Sequence, residues 1–125
     1  MSKKRKSVLP FIRDILDSIE KIEKYCQSMT YDQFLDDDKT RDAVVRNLEI
    51  IGGAAKNIPG KVKERESGIA WRPITGMRDK LIHGYFGVSY SIVWHTIEND
   101  LPILKEKMKR LNDRLEEEER TEPSV

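Results

Sequence analysis

The stretch VLPFIRDILDSIEKIEKYC, residues 8–26, sets Val8, Leu9, Ile12, Ile15, Leu16, Ile19, Ile22 and Cys26 at steps of three and four. Asp14, Asp17, Lys21 and Lys24 fill the other side. An apolar stripe at that period marks an amphipathic α-helix, and Pro10 suits its first turn, so a helix is predicted from about Pro10 to Gln27. Beyond it, Thr30 and Gln33 form a capping-box pair, which predicts a short helical turn over Tyr31–Leu35. Asp36, Asp37 and Asp38 then supply the negative charge that a helix N-terminus favours. The next helix is predicted from about Thr40 to Ile58, with Val44, Leu48, Ile51, Ala55 and Ile58 on one stripe and Pro59-Gly60 as its stop.

The segment KVKERESGIA, residues 61–70, is polar and reads as a loop. Trp71-Arg72-Pro73 opens a third helix, with Ile74, Met77 and Leu81 inward and Gly84 at its end. Ser89 opens a last long helix carrying Val93, Ile97, Leu101, Leu104, Met108, Leu111 and Leu115. Pro102 inside that pattern predicts a kink or a split near Asp100. Nothing alternates with period two for long enough to build a sheet. The expected fold is all-α: an antiparallel helical bundle of four main helices plus a short helical turn. Residues 8–116 form its single domain. Residues 1–7 are expected as a basic flexible N-terminus and residues 117–125 as an acidic, frayed end.

Composition narrows the function. The 125 residues are 38% hydrophobic and 36% charged, and 23 Lys and Arg against 22 Asp and Glu leave a net charge of +1. The signs are unevenly placed: Lys3, Lys4, Arg5 and Lys6 open the chain, and Glu116, Glu117, Glu118 and Glu119 come near its end. Nucleic-acid binding would therefore use a local patch or one assembled between chains. No apolar run approaches the roughly 20 residues of a membrane span, so a membrane role is excluded, and no secretory signal is expected. Cys26 alone makes no disulfide framework, and His83 and His95 make no zinc set. The expected location is the cytoplasm, with no metal or cofactor.

The unusual residues gather in GMRDKLIHGYF, residues 76–86. Arg78 offers the rigid fork of donors that grips a phosphate or its transition-state charge. His83 is the side chain suited to moving protons near neutral pH. Together they suffice for metal-free phosphodiester cleavage. His83 would take a proton from a ribose 2′-OH, or return one to the leaving oxygen, while Arg78 neutralises the developing charge. At about 100° per residue the two stand about 140° apart on a continuous helix. Either the helix unwinds near His83-Gly84, or two chains share one cleft. Asp79, four residues before His83, lies on its face and could orient the imidazole; Lys80, three before it, acts in the opposite sense on its charge. The plainer alternative is a solvated helix face with incidental ion pairs. Gly52, Gly53, Ala54 and Ala55 make a smooth strip that lets another helix approach, within the chain or between chains. Arg46 and Glu49 precede it, either as a surface pair or as support for the cleft.

The stretch GMRDKLIHGYF, with RNLEIIGGAAKNIP (residues 46–59) and VSYSIVWHTIENDLPIL (residues 88–104), resembles the HepT-like branch of the HEPN superfamily. Asp79, directly after the motif Arg, fits that pattern. Gly53 departs from it, since many relatives carry an acidic residue there. The resemblance implies a HEPN-like helical homodimer acting as a metal-independent ribonuclease, with Arg78 and His83 lining a cleft at the dimer interface. It also implies a toxin whose partner is an MNT-type nucleotidyltransferase antitoxin that transfers AMP to the motif tyrosine, here Tyr85. An adenylate there would put bulk and negative charge in the groove meant for RNA phosphate. The competing expectation is a non-catalytic helical interaction module that binds a nucleotidyltransferase or a nucleotide.

Overall fold

A computed structural model of the chain describes residues 7–83 and 89–121, and of His83 the main chain only. Helix α1 (Leu9–Tyr25) has Pro10 in its first turn and buries Ile12, Ile15, Ile19 and Ile22 completely, the row its spacing predicts. Each such burial contributes about 1.5–3 kcal/mol. The capping box forms as read. The Gln33 N–H donates to Thr30 Oγ1 at 3.1 Å and the Thr30 N–H to Gln33 Oε1 at 2.8 Å. It starts α2 (Tyr31–Leu35), which drives Phe34 into the core against Trp94, ring centroids 5.1 Å apart, and edge-on to Tyr90 at 6.2 Å. Trp94 is therefore packing.

Helix α3 (Asp38–Lys56) is capped by Asp37, whose carboxylate accepts the Thr40 N–H at 3.0 Å and the Thr40 hydroxyl at 2.7 Å. Those bonds, the main-chain one first, hold the Asp37 carboxyl below the usual carboxylate range. Helix α3 packs between α1 and α5 (Trp71–His83), and α1 also packs on α7 (Leu101–Thr121). Helices α1 and α7 run antiparallel. Ser7 and Arg13 at one end of the pair bond Glu119 and Glu116, while Glu23 at the other bonds Lys105.

Two expectations need correcting. Residues 61–70 are not all loop, because Gly60–Arg65 forms a short helix, α4. Its Lys, Glu and Arg residues are good helix formers, and Val62 packs against the core. Arg65 then clasps Glu118 through two bonds of 3.1 and 2.6 Å, and Glu66 pairs with Arg114. That clasp also bears on the acidic end. The run expected to fray is helical through Thr121, where Glu116 meets Arg13 of α1, Glu118 meets Arg65 of α4 and Glu119 accepts from Ser7, just before α1. The expected break in the last helix is real and has a definite form. Helix α6 (Tyr90–His95) passes into a π-helical turn (Thr96–Asp100) before α7 begins. Pro102 lacks an N–H, and its ring would press on the carbonyl of Glu98 in a regular helix; the wider turn relieves that clash.

Candidate functional site

The site is built where α3 and α5 come closest. A Cβ placed on Gly52 would stand 2.2 Å from Arg78 Cβ and 3.1 Å from the Ile74 carbonyl oxygen, so the two helices meet there backbone to side chain. The smooth strip thus receives α5 of its own chain. Arg78 lies along it: its Nε passes over Gly53, 3.5 Å from where a Cβ would sit. The guanidinium ends at Asp79, with Nη1 donating to Oδ1 at 3.4 Å. Lys56, on the last turn of α3, donates to the same oxygen at 2.7 Å. The Lys56 hydrogen bond first, then the charges of Lys56 and Arg78, hold the Asp79 carboxyl below the usual carboxylate range. All three side chains remain partly open to solvent, at 31% for Arg78, 48% for Asp79 and 44% for Lys56.

The Arg78 arm passes over Gly53 and its charged head lies beside Asp79, which stands four residues, about one helical turn, before His83 in the sequence. His83 closes α5; its side chain lies outside the described residues, as do Gly84, Tyr85 and Phe86. Asp79 is engaged by two cations, which the spacing argument did not foresee. Lys80 is exposed, Arg46 is exposed and Glu49 is half-buried. No ion pair joins Arg46 to Glu49 among the described residues. They do share a face with the site, because positions 46, 49, 53 and 56 follow at steps of three and four along α3. That periodicity is the signal by which Lys56, absent from the candidate set, could have been found.

The other face of α5 is chemically plain. Pro73, Ile74 and Met77 line a groove of about 390 Å³ with Leu101, Ile103 and Leu104, and Thr96, Asp100 and Lys107 add polar atoms to its lining. Ile103 is 57% exposed. Cys26 is a core residue, and burial, with the Asp37 charge adding to it, pushes its thiol up to about 11. His95 is exposed and pairs its Nδ1 with Asn99 Nδ2 at 3.2 Å. Among the described residues no helix is long and apolar enough to cross a membrane.

The helical bundle thus carries an Arg-Asp pair on one helix, seated on a glycine strip of another. The family model for "Ribonuclease HepT-like" matches residues 15–111, and the chain belongs to that family. A protein of Thermococcus cleftensis named "Probable ribonuclease HepT" is 45% identical over 107 residues, covering 86% of this chain and 97% of the relative. A "Putative RNase" of Caldanaerobacter subterraneus subsp. tengcongensis is 41% identical over 106 residues, covering 85% and 95%. No solved structure matches the chain.

Proposed function

We propose that this chain is a metal-independent endoribonuclease that acts as a homodimer in the cytoplasm and serves as the toxin of a toxin–antitoxin pair. The observation that carries the reading is the Arg78 arm, laid on the Gly52-Gly53 floor with its head partly exposed beside Asp79. Family membership and the relatives' names support the substrate class, RNA. His83 acts as general base and general acid. It takes the proton of a ribose 2′-OH; the 2′-oxygen bonds to phosphorus, the bond to the 5′-oxygen breaks, and that oxygen is protonated as it leaves. The products are a 2′,3′-cyclic phosphate and a 5′-hydroxyl end. Arg78 neutralises the charge that grows on the phosphoryl oxygens, with Asp79, Lys80, Arg46 and Glu49 in support.

In the homodimer the two copies would meet along the Arg78 and His83 cleft, as the family resemblance implies. Neutralisation follows the family scheme. The Tyr85 phenol oxygen attacks the α-phosphorus of ATP on a nucleotidyltransferase antitoxin, pyrophosphate leaves, and the adenylate blocks the RNA groove.

The deciding experiment incubates purified wild type, His83→Ala and Arg78→Ala with RNA in EDTA. The wild type is expected to cleave, and each variant to lose roughly 100-fold or more in rate. Equal cleavage by His83→Ala, or loss of all cleavage to the chelator, overturns the mechanism. Intact mass after co-expression with the nucleotidyltransferase tests the tyrosine: an adenylate on the wild type and none on Tyr85→Phe is expected. The groove also favours a second reading, a non-catalytic module binding a nucleotidyltransferase or a nucleotide. Growth arrest on expression, relieved by His83→Ala, excludes it.

A further inference from the structure

Asp79 Oδ1 receives two cations from two helices, Lys56 Nζ at 2.7 Å and Arg78 Nη1 at 3.4 Å. Among the described residues Asp79 is the only side-chain partner of either. One carboxylate against two cations leaves a net positive charge on a partly exposed surface. An ammonium carries three donors and a guanidinium five, so most of both sets remain available. Arg78 Nε passes 3.5 Å from where a Gly53 Cβ would sit, and the heads of Arg78 and Lys56 meet at one carboxylate oxygen. Two cationic heads side by side, one a planar fork and one a point charge, suit two successive oxyanions of a flexible chain.

We infer that Lys56 is an RNA-contacting residue of this site, binding the phosphate next to the one that Arg78 grips, with Asp79 as the positioning residue that holds the two cations abreast. This rests on the reading of Arg78 as the phosphate-gripping group. The plainer role for Lys56 is to tether α5 and to complement the C-terminal end of α3. A surface pair this exposed contributes little to stability, and the two roles give different results.

The experiment measures binding of a short, labelled, fully 2′-O-methylated RNA, which has no nucleophile to be cleaved, to the full chain over a salt series. Lys56→Gln is expected to weaken binding roughly three- to ten-fold and to reduce the slope of log K against log salt by about 0.7, one phosphate's worth on a single strand. Lys56→Arg is expected to restore both. On cleavable RNA, Lys56→Gln should raise KM with kcat nearly unchanged. Asp79→Asn removes the charge that holds the two cations abreast but keeps the Lys56 charge, so affinity should fall while the salt slope stays near that of the wild type. An unchanged affinity and slope in Lys56→Gln, an equal loss of slope in Asp79→Asn, or no binding by the wild type overturns the proposal. If wild type binds in a Lys56-dependent way but does not cleave, the nuclease mechanism falls and this contact stands. If it cleaves and Lys56→Gln is indistinguishable from it, only the contact falls.

Discussion

Gly52 and Gly53 are neighbours in the chain with opposite requirements. At Gly52 an added methyl would collide with Arg78 Cβ and the Ile74 carbonyl, neither of which is the free end of a flexible side chain. Gly52→Ala should therefore push α5 off α3 and destabilise by about 1–3 kcal/mol, seen as a lower urea midpoint, with RNA cleavage falling as Arg78 is displaced. At Gly53 the same methyl makes an ordinary 3.5 Å contact with Arg78 Nε. Gly53→Ala should leave the midpoint unchanged or raise it, since Ala is better than Gly inside a helix by up to about 1 kcal/mol. The glycine pair is visible in the sequence as a smooth strip. Which helix it receives is not, because local spacing carries no information about a partner arriving from α5. Lys56 is legible as a position on the face of Arg46, Glu49 and Gly53, but its pairing with Asp79 is not, because that too depends on how α5 packs.

The helices themselves were largely legible. Rows such as Ile12, Ile15, Ile19 and Ile22 are driven by burial, and burial leaves a period in the sequence. Helix α4 left none, since it contributes Val62 alone to the core and is held by Arg65–Glu118 and Glu66–Arg114, pairs whose members lie far apart in the chain. The π turn was legible only as a disturbance at Pro102. It holds one residue more than a regular turn, and this can be tested directly. Deleting Glu98 in a Pro102→Ala background should convert Thr96–Asp100 to a regular helix and keep a single cooperative thermal transition. Deleting Lys109 from α7 should instead rotate the buried Leu111 and Leu115 by about 100° relative to the residues before them and abolish that transition.

For the molecule as a whole, charge pairing sets the response to pH. Asp37, Asp79 and Glu118 are all held below their usual range, by the Thr40 cap, by Lys56 and by Arg65 respectively. A carboxyl depressed in the folded state stabilises fully above its unfolded value, near 4, and that contribution is lost as pH falls through the lower folded value. The melting temperature should accordingly be flat from about pH 5 to 7 and fall below about pH 4. Asp37→Asn, which keeps an acceptor for the Thr40 N–H but cannot titrate, should show a shallower fall. A melting temperature that rises on acidification, or an Asp37→Asn curve parallel to the wild type, contradicts this account. The near-neutral total charge visible in the composition hides it, because what matters is which acid meets which base.

The bond from Ser7 to Glu119 brings the two ends of the described chain to one corner of the bundle. A domain fused before the first helix and another fused after the last would hang from neighbouring points. For the same reason a short linker could join those points and the chain be opened elsewhere, a circular permutation that reorders the helices along the polypeptide while each keeps its neighbours in space.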